Sequence, residues 1–189
     1  MLSEDDGYVS WHPKIAVNGN NIHVVWNEAE KYSLPWSFGE IVYMRSTDGG
    51  SSWEDGKGNP NTHYRLTNDP ADSDVPHIAV SGNNIHVAWP DKRSGNFEPW
   101  YKSSEDNGGN WTEDKNITPL DGIKSHVTDI AADGNRVYAV GRDEKWVSGA
   151  PYYSIWFVRS EDNGKTWSEP LYIVPEQGGM FTEAMLQSL

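Results

Sequence analysis

Three carboxylates, Glu28, Asp91 and Asp143, fall in one column when the chain is aligned with itself, each just after an alternating run: "NIHVVWNE", "NIHVAWPD" and "RVYAVGRD". Two guanidiniums, Arg93 and Arg142, stand nearby, and Tyr32, Trp36, Phe38, Phe97, Trp146 and Tyr152 share the same connecting segments. Such a set suits a sugar. Rings stack on the apolar faces of pyranoses, while carboxylates and guanidiniums bind hydroxyls or an anionic substituent. The bland alternative is that each charge pairs locally as a solvated loop salt bridge.

A second set of acids reads differently. Asp48, Asp106 and Asp162 sit in "STDGGSSW", "SEDNGGNW" and "SEDNGKTW", where Ser46, Ser104 or Ser160 comes first, then Gly50, Gly108 or Gly164, and last Trp53, Trp111 or Trp167. An Asp in a turn can accept backbone N–H groups that the turn leaves unpaired, and Gly supplies a backbone angle other residues resist. One such acid per repeat does not converge on a reaction centre. These aspartates are therefore expected to hold turns, with Trp as the apolar anchor. In the middle copy Asn110 replaces the hydroxyl of Ser52 and Thr166, which is expected to weaken that turn.

The elements that carry both sets recur three times. "PKIAVNGNNIHVVWNE", "PHIAVSGNNIHVAWPD" and "TDIAADGNRVYAVGRD" each read as two strands joined by a tight turn. A third strand follows ("EIVYMRS", "PWYKSS", "SIWFVRS") and then a fourth apolar stretch ("YRLT", "NITPL", "LYIVP"). Four antiparallel strands per unit is the signature of a β-propeller blade. The expected fold is all-β, a single domain over 1–189, with blades spanning about 11–68, 74–120 and 126–175 and a tail at 176–189. "LS" at Leu2 and Ser3 matches the last strand of a preceding blade. Three blades cannot close a ring, so the expectation is a half or a fragment of a roughly six-bladed propeller, completed by further chain or by a second copy in a homodimer.

The turns S-x-D-x-G-x-T-W resemble the Asp box of the sialidase, or BNR-repeat, family. The resemblance implies a propeller, a location outside the cell or on its surface, and a glycan or cell-surface glycoconjugate as partner. It also implies, for catalytic members, an arginine triad that holds the substrate carboxylate, an Asp general acid and a Tyr–Glu nucleophile pair. This chain departs from that pattern. The N-terminal Arg-Ile-Pro motif is replaced by "WHPKIAV", with His12, Pro13 and Lys14, and Arg45 and Arg159 share one repeat position beside the Asp box. The expectation is a glycan- or surface-partner-binding module without a complete catalytic site. An exo-sialidase completed by other blades and a purely structural repeat are the alternatives.

Topology divides the loops. In an up-and-down meander, alternate connections lie at the same end. The first and third connections, which include the Asp boxes, share one face, and the longer, divergent connections that carry Glu28, Asp91, Arg93, Arg142 and Asp143 share the other. The net charge of −13 argues against nucleic acid and anionic membranes. The acidic start is no signal peptide, and no run reaches membrane-spanning length. With no cysteine there is neither a disulfide framework nor a thiolate zinc site. The segments "DPADSD" (Asp69, Asp72, Asp74) and "SEDD" (Glu4, Asp5, Asp6) offer hard oxygens for Ca²⁺ but lack a recognisable loop spacing, so no cofactor is assigned. His23 and His86 align with Tyr138, which favours packing over metal binding.

Overall fold

A computed structural model describes residues 7–30, 39–147 and 149–174. Twelve strands build three four-stranded antiparallel sheets. Blade 1 holds β1 (Tyr8–Asn18), β2 (Asn21–Glu30), β3 (Glu40–Ser46) and β4 (Tyr64–Arg65). In blade 2 are β5 (His77–Ser81), β6 (Asn84–Asp91), β7 (Glu98–Ser104) and β8 (Lys115–Asn116). Blade 3 comprises β9 (Lys124–Asp133), β10 (Arg136–Val147), β11 (Ala150–Ser160) and β12 (Leu171–Val174). Each sheet is a simple meander, as the repeat requires. The expected last strand of a preceding blade, the "SEDD" segment and the tail lie outside the described residues.

The period-two alternation of the second and third strands explains why blades stack. Val25, Ile41 and Tyr43 of blade 1 pack with Ile85, Val87 and Trp89 of blade 2. One blade on, Ala88 and Tyr101 pack with Val137, Ala139, Trp156 and Val158 of blade 3. Burying each large side chain contributes about 1.5–3 kcal/mol, so these interfaces are the core. Blade 3 fills one position differently. Where blades 1 and 2 place Trp26 and Trp89, it has Gly141, and a methyl there would collide with the ring of Trp156 from the neighbouring strand.

The Asp boxes join strands and blades together. Ser52 Oγ, Asn110 Nδ2 and Thr166 Oγ1 each donate to the box carboxylate at 2.6 Å, and the same residues' N–H groups donate to its other oxygen. Asn110 therefore does not weaken its copy. A carboxamide N–H reaches the carboxylate as a hydroxyl does, which corrects the expectation from sequence. Hydrogen bonds from Ser52, or from Thr166, hold the Asp48 and Asp162 carboxyls down at about 2. Each box also donates a backbone N–H to the carbonyl of the first turn in its own blade: Gly49 to Asn20, Asn107 to Asn83, Asn163 to Asn135. That places both sets of turns on one face.

The aligned histidines are structural. His23 Nδ1 meets the Tyr43 hydroxyl at 2.8 Å and His86 Nδ1 meets that of Tyr101 at 2.6 Å, with the rings stacked. Burial foremost pulls both imidazoles down to about 4, so they are neutral at ordinary pH.

Candidate functional site

Among the described residues, the opposite face is built from the end of β2 and start of β3, the β6–β7 connection, the β10–β11 hairpin and the linkers between blades. The linkers are tied to these loops by backbone bonds: Asp74 N–H to Pro90, Lys92 N–H to Asp72, and Ser125 N–H to Phe97. The frame is therefore shared between adjacent blades.

The carboxylate column is buried. Glu28 is 3% exposed, Asp91 0% and Asp143 4%. Glu28 takes the indole N–H of Trp26 at 3.3 Å and pairs with His63 at 3.0 Å. Asp91 takes the Trp89 indole at 2.9 Å and the Ser73 hydroxyl at 2.8 Å. Asp143 takes the Ser125 hydroxyl at 2.5 Å and that of Tyr172 at 2.9 Å. The serine is a repeated partner that the self-alignment did not single out. Even in blade 1, Ser10 stands opposite Glu28 in the strand register.

Arg93 is equally committed. Its guanidinium donates to Asp91 at 2.7 Å and to Asp114 at 2.6 Å, and it lies over the Trp100 ring at 4.3 Å. Burial alone would raise the Asp91 pKa. Bonds from Arg93, Trp89 and Ser73 outweigh it and hold Asp91 below the usual range. Phe97 is covered on two sides, by His126 at 4.8 Å and by the Lys92 ammonium at 4.4 Å. Thus the structure brings Asp91, Arg93 and Phe97 into one connection, held chiefly by protein partners. Tyr32, Trp36 and Phe38 lie outside the described residues.

Arg142 and Trp146 have a different setting. Both are exposed, Trp146 at 67%, on the long β10–β11 hairpin. Residues 142, 144 and 146 alternate onto one side of β10, and Glu144 pairs in register with Tyr153, which is 43% exposed. The Arg142 guanidinium lies 5.1 Å over the Tyr153 ring, while the Trp146 indole donates to Glu144 at 3.1 Å. Hydrogen bonding from Lys124 holds Glu144 ionised. Sequence reading chose Tyr152 from this segment; the hairpin register makes Tyr153 the ring beside Arg142.

A second missed residue is Glu98. It is 2% exposed, opposes Asp91 across the β6–β7 pair, and has one oxygen without a hydrogen-bond partner. Burial, reinforced by Asp121 and Asp143, pushes its carboxyl up to about 7. Glu40, its counterpart in blade 1, is also raised by burial, partly offset by the Thr67 hydroxyl at 2.5 Å. Within "DPADSD", Asp69 and Asp74 accept local backbone N–H groups and Asp72 pairs with Lys92. Among the described residues no group of three His, Asp or Glu side chains converges as a metal site.

No protein-family model matches this sequence, and no curated protein matches it. Solved structures do. Trypanosoma rangeli sialidase in complex with 2,3-difluorosialic acid superposes with a TM-score of 0.60 at 16% identity, over 89% of this chain and 31% of that one. The Hadza microbial sialidase Hz136 gives 0.60 at 14% identity, over 87% and 37%. The fold is that of a sialidase β-propeller. A family 117 glycoside hydrolase from Zobellia galactanivorans shares it less closely, with a TM-score of 0.54 at 12% identity over 89% and 58%. The chain spans about a third of the length of the two sialidases. Within this sialidase-like fragment, no described helix is long and apolar enough to cross a membrane.

Proposed function

We propose that this chain is a glycan-binding part of a sialidase-like propeller, acting outside the cell or on its surface, and that it recognises an acidic sugar through the β10–β11 hairpin. One observation carries the reading: Arg142 lies over Tyr153 on the hairpin that also exposes Trp146. A guanidinium beside exposed rings offers a partner for a sugar carboxylate and platforms for its apolar faces. The buried carboxylates and Arg93 are spent on holding the loops that carry this platform. Titrating the purified chain with sialic acid and with lactose, read by tryptophan fluorescence, tests the proposal. Sialic acid should bind, lactose should bind more weakly, and Trp146→Ala should weaken sialic acid binding by about tenfold. Equal binding of both sugars by the wild type and by Trp146→Ala would overturn the reading.

A hydrolase is the second reading, favoured by Glu98, a buried carboxyl opposite Asp91 on the same face that burial pushes up to about 7. Such a pKa is what a general acid needs. Release of a fluorophore from a sialoside, lost in Glu98→Gln, would support it.

A further inference from the structure

The linker between blades 1 and 2 and the β6–β7 connection flank an open cleft of about 540 Å³, lined by residues 69–72 on one side and by Lys92, Arg93 and Gly95 on the other. Both walls belong to one internal junction. Backbone bonds fix them to each other, from Lys92 N–H to Asp72 and from Asp74 N–H to Pro90. The volume falls in the range of small-molecule sites.

The polar groups of the cleft are spaced for a guest that both donates and accepts. Two arms of the Arg93 guanidinium are taken, Nη1 by Asp114 and Nη2 by Asp91. The remaining donor, Nε–H, is buried without a hydrogen-bond partner. The Asp69 carboxylate lies beside it, yet its Oδ2 stays 3.9 Å away, too far for a hydrogen bond, while Oδ1 accepts the Ala71 N–H at 2.9 Å. A hydroxyl between them closes the gap with two ordinary bonds, accepting from Arg93 Nε–H and donating to Asp69 Oδ2. On the same two walls, the Lys92 ammonium and Asp72 Oδ2 stand 3.1 Å apart, and the lysine side chain is 45% exposed. An ammonium has three donors and a carboxylate oxygen has two lone pairs, so a second hydroxyl can bond to both without breaking the ion pair.

Charge balance selects the guest. Asp69 and Asp72 offset Lys92 and Arg93, and Arg93 already bears two further carboxylates, Asp91 and Asp114. Among the lining residues no positive charge is left over for an anion, which sets the cleft apart from the hairpin of Arg142. Pro70 and Ala71 add apolar surface, and at the rim Gly95 leaves open space where a side chain would stand. Neighbouring hydroxyls on an uncharged ring with C–H surface are the chemistry of a neutral pyranose. We infer that this cleft binds a neutral sugar unit, as a subsite separate from the hairpin assigned above to the acidic sugar. It rests on that reading only in taking the ligand to be a glycan.

In the isotopically labelled full chain, millimolar methyl β-galactoside or methyl α-mannoside should move the amide resonances of Ala71 and Gly95, and sialic acid should not. Asp69→Asn keeps the acceptor for the Ala71 N–H but replaces the free oxygen by a second donor, so affinity for the neutral sugar should fall about tenfold. Ala71→Trp fills the cleft from a partly exposed linker position and should remove the shift at Gly95, with the dispersion of the amide spectrum unchanged. Sialic acid binding should be the same in both variants. Trp146→Ala is the converse control: it should weaken sialic acid binding and leave the Ala71 and Gly95 shifts intact, so that failure of one site is read apart from failure of the other. No shift at these two amides with either glycoside overturns the inference. So does a shift that keeps full affinity in both cleft variants, or a cleft that binds sialic acid more tightly than the neutral glycosides.

Discussion

The hydroxyl of Tyr101 in blade 2 points at the carbonyl of Asn163 in blade 3, 3.5 Å away, and a methyl group on the next residue, Gly164, would overlap that hydroxyl. Gly108 stands in the same relation to Tyr43. The box glycine is therefore demanded twice, by its positive φ of 83° in Gly164 and by the incoming tyrosine. Gly164→Ala should cost about 2 kcal/mol or more, combining backbone strain with overpacking, and lower the melting temperature by about 4–8 °C. Gly122→Ala has a similar φ of 78° but open space around it, so it should cost only about 1 kcal/mol. Equal losses in thermal melts of the two variants would show that the tyrosine contact contributes nothing.

The middle Asp box makes a separate prediction. Since Asn110 Nδ2 reaches Asp106 at the same 2.6 Å as the Ser and Thr hydroxyls in the other boxes, Asn110→Thr should be neutral. Asn110→Ala loses that bond and should cost about 1 kcal/mol, measured by urea unfolding. A gain on Asn110→Thr would restore the view that this copy is the weak one.

The two arginines of the functional face should separate by assay. Removing Arg93 leaves Asp91, 0% exposed, without its charge partner, so Arg93→Ala should cost about 3–5 kcal/mol in stability. Arg142→Ala and Trp146→Ala touch exposed groups and should stay within about 0.5 kcal/mol of the parent. Under the glycan-binding proposal they should weaken acidic-sugar affinity by about tenfold. Loss of stability in Arg142→Ala would place that residue in the frame with Arg93.

Why the fold was so legible and the site less so follows from what each depends on. Blade architecture rests on local signals written three times: alternating strands, Gly-Asn turns and the Ser-Asp-Gly-Trp boxes. The acid column of Glu28, Asp91 and Asp143 was also visible, but its burial was not, because that depends on which side of β2, β6 and β10 meets a neighbouring blade. Ser73, in a linker, and Ser125, at the start of β9, carry no distinctive signal in the sequence, since serine is common in both settings. Tyr152 and Tyr153 are indistinguishable in the sequence, because choosing between adjacent rings needs the hairpin register. Glu98 has a sequence clue in its counterpart Glu40, although the rise in its pKa comes from burial, with the charges of Asp121 and Asp143 adding to it.

Acid and base should destabilise the chain through different carboxyls. Asp48 and Asp162 have folded pKa values lowered to about 2 by hydrogen bonds. A depressed carboxyl stabilises the fold above its unfolded value of about 3.9 and loses that contribution as pH falls through about 2. Glu98 works in the opposite sense. Its folded value is raised to about 7, chiefly by burial, so the neutral form favours the fold below the unfolded value of about 4.3, and that advantage is lost as pH rises through about 7. Melting temperature should therefore fall on both sides of about pH 4–5 from these groups. Asp162→Asn should flatten the acid limb, while Glu98→Gln should flatten the limb between about pH 4 and 7 and raise stability at pH 8 by about 1–3 kcal/mol. An unchanged upper limb in Glu98→Gln would mean that Glu98 is ionised in the folded chain at neutral pH, and it would remove the observation that favours a general acid on this face.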